Sequence, residues 1–84
     1  MLVREQQGKG LATEACRSIL AMAFEVAELH RVAARVEPRN EASWRVLERI
    51  GMRREAHFVE NEWIRGEWQS EYAYAILERE WRRP

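Results

Sequence analysis

The sequence predicts an α/β (α+β) domain in which helices cover one mixed sheet, with the elements in the order β-α-β-α-β-β. Three observations support this fold class. A short apolar opening leads through two glycines into a long helical pattern, an alternating strand pattern follows, and a second helix then leads to a hairpin pattern. Since 84 residues is the length of one domain, we treat residues 1–84 as a single unit.

The first helix is predicted from the spacing of apolar residues. Leu2 and Val3 have the character of a strand end, and a helical pattern then runs from Leu11 to about Leu29. Its inward residues recur at steps of three or four, namely Leu11, Ala15, Ile19, Met22, Val26 and Leu29. Its outward residues are charged, namely Glu14, Arg17, Glu25 and Glu28. We therefore expect this helix to cover the sheet.

The next strand is predicted at Arg31–Val36, where side chains alternate between two faces. One face carries Val32, Ala34 and Val36, and the other carries Arg31, Ala33 and Arg35. Pro38 ends the strand because proline cannot donate to a β-ladder. Together with the opening strand end and the first helix, this strand indicates a βαβ unit or something close to it.

The second helix is predicted from Glu41 to about Ile50. Asn40 is a good N-cap for it, and Gly51 follows at the position where a left-handed residue commonly ends a helix. The apolar side of this helix consists of Ala42, Val46, Leu47 and Ile50.

Two further strands are predicted, from Met52 to about Val59 and from Trp68 to Leu77. Residues 60–62 and 65–67 have the composition of turns, and Gly66 sits where a hairpin turn needs a glycine. The charged tail of residues 78–84 has the character of a short helical turn.

The composition excludes several classes of protein. Lys and Arg number 14 and Asp and Glu number 14, a formal net charge of +0 that argues against a generic nucleic-acid binder. The single cysteine, Cys16, excludes an intrachain disulfide and a cysteine-based zinc site, so we predict no metal and interpret Cys16 as a small buried hydrophobe. No apolar run approaches the length of about 20 residues that spans a bilayer. We expect a soluble, cytoplasmic protein.

The segment before the first helix carries the strongest functional signal. Gly8 and Gly10 have no Cβ, so a ligand can approach the backbone closely. The first turn of a helix leaves N–H groups unpaired and favours negative charge, so a phosphate or pyrophosphate is the expected ligand. The pattern also fits the glycine-bearing start of an ordinary helix. It is neither a Walker loop nor the dinucleotide fingerprint, since no Gly-Lys-Ser/Thr follows and Thr13 replaces the third glycine.

Four segments stand in a characteristic order: residues 7–15 (QGKGLATEA), residues 40–52 (NEASWRVLERIGM), residues 53–55 (RRE), and the Gly-x-Trp of residues 66–68 with the closing strand after it. In this order they resemble the C-terminal half of a GNAT-fold N-acetyltransferase of the RimJ/RimL type. The resemblance covers essentially the whole chain. It implies a GNAT-like sheet that lacks the N-terminal strands of the full fold. It also implies acetyl transfer from acetyl-CoA to an amine, such as a protein N-terminus or a small amine.

The same resemblance implies the residues of the site. The pyrophosphate of acetyl-CoA would bind the backbone N–H groups of Gln7, Gly8, Lys9, Gly10, Leu11 and Ala12, with help from the Thr13 hydroxyl. Leu2 and Val3 match the strand end that pairs with the pantetheine arm, and Asn40 matches an asparagine that hydrogen-bonds the cofactor. Ser43 matches a serine that helps to protonate the departing thiolate. The alternative interpretations are that Asn40 is only an N-cap and that Ser43 is a helix-surface serine.

Several positions depart from the family pattern. Glu5 adds no phosphate donor, Leu47 stands where other branches carry a thiolate-protonating tyrosine, and Ser70 replaces an aspartate. We expect His30 and His57 to be solvated or half-buried and not catalytic. The elements that precede this segment in the family, and form most of its acceptor site, are absent from the sequence.

These missing elements leave the function open between three interpretations. The chain is an N-acetyltransferase, a CoA-binding module that does not acetylate, or a half-domain that serves assembly alone. An exposed edge at Leu2 and Val3, together with an uncovered apolar face, would invite pairing with another chain. We therefore expect a homo-oligomer or a complex with a complementary N-terminal half, and neither nucleic acid nor membrane as a partner.

Overall fold

The structure is a computed structural model that describes residues 1–4 and 13–82. Its elements follow the predicted order, with one short helix after the last strand. In chain order they are β1 (Leu2–Arg4), α1 (Thr13–Ala21), a π-helical segment (Met22–Val26), β2 (Arg31–Val36), α2 (Glu41–Arg49), β3 (Arg53–Ile64), β4 (Glu67–Leu77) and α3 (Glu78–Trp81). Among these described residues, no helix has the length and apolar character needed to cross a bilayer.

The strands form one mixed sheet in the order β1-β2-β4-β3. β1 runs parallel to β2, with Leu2 opposite Ala33 and Val3 opposite Ala34. β4 runs antiparallel to both of its neighbours. A parallel pair requires a crossover connection, and α1 lies in the connection between these two strands. The predicted βαβ unit is confirmed, and β1 is an edge strand of the described sheet, as expected.

One face of the sheet packs against α1 and α2 and forms the core. The alternation predicted for β2 is confirmed, because Val32, Ala34 and Val36 are all buried. Tyr74 and Ile76 of β4 stand opposite Ala34 and Val32, so they share this face. The helical segments contribute Leu20, Ala23, Phe24 and Leu47.

The inward face predicted for the first helix is only partly confirmed. Ile19 and Leu29 are half-buried, and Leu29 packs against the core, but three of the other predicted residues are exposed. The residues that this helical segment buries are Cys16, Leu20, Ala23 and Phe24. Ala15 is exposed, and Met22 and Val26 are 65% and 77% exposed. Leu11 lies outside the described residues. Apolar residues recur at helical spacing on more than one side of this segment, so periodicity alone could not choose the buried side. The interpretation of Cys16 as a small buried hydrophobe is confirmed.

The first helical segment also ends earlier than the predicted Leu29. Its last part is π-helical, with the Ala27 N–H donating to the Met22 carbonyl at 2.9 Å. Glu28 then adopts a φ of 53°, a left-handed conformation that stops the helix. The Leu29 N–H donates to the Ala23 carbonyl at 2.9 Å and closes the end.

Both predicted ends of α2 are confirmed. The Oδ1 atom of Asn40 accepts a hydrogen bond from the Ser43 N–H at 3.4 Å, as an N-cap does. At the other end Gly51 has a φ of 100°, and the Met52 N–H donates to the Leu47 carbonyl at 3.0 Å. This arrangement is the Schellman motif, in which a glycine supplies the left-handed residue.

The apolar side of α2 is narrower than predicted. Leu47 is buried and Val46 and Ile50 are half-buried, but Ala42 is exposed. The core-facing position in the first turn is instead Ser43, whose exposed fraction is 0%. A polar side chain therefore occupies a fully buried position near the start of this helix.

β3 runs further than predicted, because residues 60–62 belong to the strand and not to a turn. The pairing with β4 slips between Phe58 and Glu62, which forms a bulge in β3. Glu60 in this bulge has a φ of 48°, and its N–H donates to the Ser70 Oγ at 2.8 Å. Bulges of this kind bend a strand and re-aim its side chains.

A two-residue turn joins β3 to β4. Arg65 and Gly66 both have positive φ, of 52° and 81°, which is the type I′ geometry that suits a hairpin. The predicted role of Gly66 is confirmed. The tail after β4 forms α3, where Glu80 accepts a hydrogen bond from the Leu77 N–H at 2.8 Å.

The sheet face turned away from the helices carries ion pairs and is not the bare apolar face that we expected. These pairs are Arg31–Glu55, Arg53–Glu55, Arg53–Glu80 and Arg35–Glu71. The hydrogen bond from Arg31 lowers the pKa of the Glu55 carboxyl. Ala75, in the middle of this face, is 0% exposed, so the charged side chains shield the small residues beneath them.

A polar cluster joins α2 to the hairpin. The hydroxyl of Tyr74 donates to the Glu48 Oε2 at 2.7 Å and accepts from the Arg54 Nε at 3.0 Å. The Arg54 guanidinium also lies 3.8 Å from the centroid of the Tyr72 ring. Burial of Tyr74, together with its hydrogen bond to Glu48, raises the pKa of this phenol to about 12. The folded state therefore favours the neutral form of the Tyr74 phenol.

This pKa predicts a loss of stability in alkali. Because the folded pKa of Tyr74 lies above the value of about 10 in an unfolded chain, its contribution is complete below about pH 10. It is lost as the pH rises towards about 12, by about 2–3 kcal/mol of unfolding free energy. Urea unfolding of the wild type and of Tyr74→Phe across this range should show that the loss is smaller in the variant. Tyr72→Phe, which keeps the Tyr74–Glu48 bond, should retain the full loss. Equal losses in all three proteins would contradict this assignment.

Candidate functional site

The carboxyl ends of β1 and β2 lie side by side because the two strands are parallel. The next described helix after β1 begins at Thr13, and the helix after β2 begins at Glu41. This topology brings the starts of both helices to one edge of the sheet. In open α/β sheets, the carboxyl ends of parallel strands are where ligands bind. Helix N-termini there favour an anionic group.

The glycine loop lies outside the described residues. With it lie the predicted backbone donors, which are Gln7, Gly8, Lys9, Gly10, Leu11 and Ala12. The structure places the flanking residues: Leu2 and Val3 belong to β1, and Thr13 is the half-buried first residue of α1. The strand assignment of Leu2 and Val3 agrees with the sequence prediction. The predicted helix start at Leu11 lies outside the described residues, and the ligand roles of Leu2, Val3 and Thr13 stay predictions.

Asn40 uses only part of its side chain as the N-cap. Its Oδ1 accepts from the Ser43 N–H, and among the described residues its amide nitrogen Nδ2 has no hydrogen-bond partner. Asn40 is half-buried, and its Nδ2 is a donor that suits an acceptor on a ligand. The interpretation as an N-cap and the interpretation as a ligand-binding residue are therefore compatible.

Ser43 is fully buried, so the interpretation as a helix-surface serine is wrong. Within the part of the chain that the structure describes, its Oγ has no hydrogen-bond partner. A buried hydroxyl without a partner costs about 1–3 kcal/mol and calls for an explanation. Ser43 lies in the first turn of α2, beside the Asn40 cap, so a ligand at this edge could supply the missing partner.

Trp44 holds the loop between β2 and α2 in place. Its Nε1 donates to the Pro38 carbonyl at 3.0 Å, and its ring packs edge-on against Tyr72 at 6.2 Å between centroids. The Asn40 N–H donates to the Glu37 carbonyl at 2.9 Å within the same loop. These contacts fix the backbone that carries Asn40 to the edge of the sheet.

Beside this loop lies a cavity of ≈ 280 Å³. It is lined by Glu37, Pro38, Arg39, His57, Glu60, Trp68, Gln69 and Ser70. The Arg39 Nη2 lies 3.1 Å from the Glu67 Oε1 and 3.1 Å from the Gln69 Oε1, and Arg39 also pairs with Glu37. Its hydrogen bonds to Glu67 and Glu37 raise the pKa of the Arg39 guanidinium.

Sequence reasoning missed this cavity. Its lining comes from a loop and from a strand that was interpreted partly as a turn, and the bulge at Glu60 leaves no sign in the residue pattern. The only available signal was the density of acidic residues around Trp68. His30 and His57 are both exposed, as predicted. His57 lies at the cavity, with its ring edge-on to Tyr72 at 4.8 Å.

Comparison with known sequences identifies the family. The family described as "Acetyltransferase (GNAT) domain" matches residues 1–53. The uncharacterized N-acetyltransferase YnaD of Bacillus subtilis is 48% identical over 75 residues, which make up 89% of this chain and 44% of that protein. The [ribosomal protein uS5]-alanine N-acetyltransferase of Escherichia coli is 29% identical over 75 residues, which are 89% of this chain and 39% of that enzyme. The chain therefore spans less than half the length of these relatives.

Solved structures give the same result. A GNAT-family acetyltransferase from Bacillus anthracis superposes with a TM-score of 0.80 and 46% identity over 87% of this chain and 44% of that chain. The dodecameric spermidine N-acetyltransferase of Vibrio cholerae superposes with a TM-score of 0.79 and 29% identity, over 90% of this chain and 44% of that chain. The described elements therefore correspond to part of the GNAT fold. On these matches and on its own motifs, the chain belongs to the GNAT acetyltransferase family, in its RimJ-like branch.

Proposed function

We propose that the edge formed by β1, β2 and the starts of α1 and α2 binds acetyl-CoA for transfer of its acetyl group to an amine. The observation that carries this proposal is the buried hydroxyl of Ser43 in the first turn of α2, which has no hydrogen-bond partner among the described residues. Beside it, Asn40 has an amide nitrogen free to donate among the described residues. Family membership supplies the expectation of acetyl-CoA.

Each proposed contact suits one part of the cosubstrate. Backbone N–H groups of residues 7–12 and the Thr13 hydroxyl would bind the pyrophosphate at the N-terminus of α1. Leu2 and Val3 at the β1 edge would pair with the pantetheine arm, whose amides need backbone partners. Asn40 would donate from Nδ2 to a carbonyl of the same arm.

The chemistry joins the amine nitrogen to the thioester carbonyl carbon and breaks the carbon–sulfur bond. Acetyl-CoA supplies the activated acetyl group. Negative charge that develops on the carbonyl oxygen is stabilised by N–H donors at the site. The attacking amine must be neutral, so a base or water takes its proton. We assign Ser43 as the donor to the departing sulfur, because its hydroxyl has no other described partner, and the proton taken from the amine returns to the Ser43 oxygen.

A second candidate is a CoA-binding or assembly half-domain that does not acetylate without a partner chain. Met22 and Val26 on the outer side of the first helical segment are 65% and 77% exposed, which leaves apolar surface for a partner. The partner would be a second copy or a complementary N-terminal half. The dodecameric Vibrio cholerae neighbour makes a homo-oligomer a reasonable first test. Under both candidates we place the protein in the cytoplasm.

The first experiment is titration calorimetry of acetyl-CoA into the purified chain, with its mass in solution measured alongside. We expect binding in the wild type and none in Gly8→Glu, because a carboxylate at the loop repels the pyrophosphate and fills its space. Unchanged affinity in Gly8→Glu would refute the loop assignment. A monodisperse monomer that stays folded at micromolar concentration would contradict the second candidate.

Asn40 permits a variant that separates capping from ligand binding. Asn40→Ser keeps an N-cap oxygen, so the free energy of unfolding should change by less than about 0.5 kcal/mol. The variant loses the Nδ2 donor, so its affinity for acetyl-CoA should fall about two- to tenfold. Calorimetry and urea unfolding measure the two quantities separately. If the serine variant binds as tightly as the wild type, Asn40 is only a cap.

Ser43→Ala gives the sharpest test of the proposed donor. Removing a buried hydroxyl without a partner should leave the stability unchanged or raise it by up to about 1 kcal/mol. The rate of CoA release in the presence of an amine should fall about tenfold or more, because the sulfur loses its proton donor. Ser18→Ala, on the exposed side of α1, is the matched control and should change neither quantity. A marked loss of stability in Ser43→Ala would instead indicate a structural hydrogen bond.

A further inference from the structure

We infer that Trp44 and Arg54 are positioning residues for the cosubstrate: Arg54 holds the Trp44 ring, and Trp44 holds Asn40 where its Nδ2 reaches the ligand. This inference deepens the proposed function and rests on it, because it assigns how the Asn40 donor is kept in place. Neither Trp44 nor Arg54 is among the proposed contacts of acetyl-CoA, so both act through Asn40. The contacts of the indole N–H, of the indole ring and of the guanidinium carry the assignment.

Trp44 contacts the loop that carries Asn40 at two points. Its indole Nε1 donates to the Pro38 carbonyl at 3.0 Å, and its backbone N–H donates to the Asn40 carbonyl at 3.3 Å. The Asn40 N–H in turn donates to the Glu37 carbonyl at 2.9 Å. The backbone bond is one that any helix starting here would make, whereas the indole bond is specific to the side chain at position 44. The place of Asn40 therefore depends on where this indole ring lies.

The Trp44 ring is held by residues of the strands. It is half-buried and packs edge-on against Tyr72 of β4, at 6.2 Å between ring centroids. The Arg54 guanidinium of β3 lies 5.3 Å from the centroid of the indole ring. Aromatic pairs and cation–π contacts at these distances are attractive and depend on orientation. They fix the direction in which the indole N–H points, so the position of β3 and β4 is transmitted to the loop.

Arg54 is itself held in one orientation. Its Nε donates to the Tyr74 hydroxyl at 3.0 Å, its Nη2 donates to the Glu48 Oε2 at 3.3 Å, and its Cζ lies 3.8 Å from the Tyr72 ring centroid. Trp44 and Glu48 are four residues apart on α2, so they lie on the same side of the helix, and Arg54 contacts both. The guanidinium is planar and donates in fixed directions, which a lysine ammonium cannot reproduce. Arg54 therefore fixes this side of α2 to the two strands.

The Asn40 donor needs this support. Its N-cap hydrogen bond from the Ser43 N–H is long, at 3.4 Å, so the cap alone holds the side chain weakly. Hydrogen bonds weaken steeply with poor angle and distance, and a donor that must be ordered on binding costs affinity. The contacts of Trp44 and Arg54 order the Asn40 backbone before the ligand arrives.

The first test needs no ligand. Hydrogen exchange followed by NMR reports how often the Trp44 indole N–H and the Asn40 backbone N–H open to solvent. In Arg54→Lys we expect both groups to exchange about threefold faster or more, because the ring loses its planar partner. The Leu29 N–H, which bonds to the Ala23 carbonyl in the first helical segment, should keep its rate.

The matched control for this exchange experiment is Arg82→Lys. Arg82 lies over the Trp81 ring at 5.6 Å, so the same kind of contact is changed at another place. It should leave the exchange rates of the Trp44 indole and of the Asn40 amide as they are in the wild type. Unchanged rates at these two groups in Arg54→Lys, or an equal acceleration of the Leu29 amide, would overturn the inference.

The second test is the affinity for acetyl-CoA, measured by calorimetry. Trp44→Phe keeps an aromatic ring but loses the indole N–H, and we expect it to weaken acetyl-CoA binding about two- to fivefold. The double variant with Trp44→Phe and Asn40→Ser should bind as Asn40→Ser does, because Trp44 acts through the donor that is already lost. A merely structural role would give independent losses that multiply. Trp63→Phe, the same exchange at an exposed position of the hairpin, should leave the affinity unchanged.

The two tests separate this inference from the proposed function. If the wild type does not bind acetyl-CoA, the proposed function is rejected, and the exchange rates alone decide whether Arg54 and Trp44 hold Asn40. If the wild type binds but the losses in the double variant multiply, the positioning roles are rejected and the acetyl-CoA site stands. Wild-type affinity in Asn40→Ser also rejects them, since no Asn40 donor would then need to be held.

Discussion

The parallel pairing of β1 with β2 is the constraint on which the rest of the site depends. Two strands that run in the same direction end at the same edge, and a helix starts near the end of each. Through this pairing, Thr13 and Asn40 reach one edge although 27 positions of sequence separate them. Among the described residues this pairing involves three residues of β1, Leu2–Arg4, and it holds β1 and β2 in the same direction.

Where local chemistry alone decides the structure, the sequence was a sufficient guide. The alternation of β2, the Asn40 cap, the Gly51 end and the Gly66 turn each depend on a few adjacent residues and were all correctly predicted. The buried side of the first helix depends on tertiary packing, and there the prediction was only partly correct. Met22 and Val26 had the right spacing for a core, but Leu20 and Phe24 reach the sheet. The π-helical segment and the bulge at Glu60 have no counterpart in simple periodicity.

The candidate site was likewise predictable from the sequence only in part. The sequence pointed to Asn40 and Ser43 through a family resemblance, and the structure adds physical properties that the resemblance lacks. The Oδ1 atom of Asn40 accepts the N-cap hydrogen bond, whereas its Nδ2 has no partner among the described residues. Ser43 has a buried hydroxyl without a described partner. The cavity could not be predicted, since Glu37 and Trp68 are 31 positions apart and meet only once the hairpin folds back beside the loop.

The bulge in β3 affects how readily the edge of the sheet pairs with another chain. β3 is a twelve-residue strand at the edge of the described sheet, and it exposes Val59 and Trp63. A flat edge of that length would offer a long row of unpaired backbone groups to another chain and would template fibres. The left-handed residue Glu60 and the slip in pairing beside it interrupt this row. The protein can thus expose Trp63 and Trp68 on this hairpin while its interrupted strand edge resists edge-to-edge polymerisation.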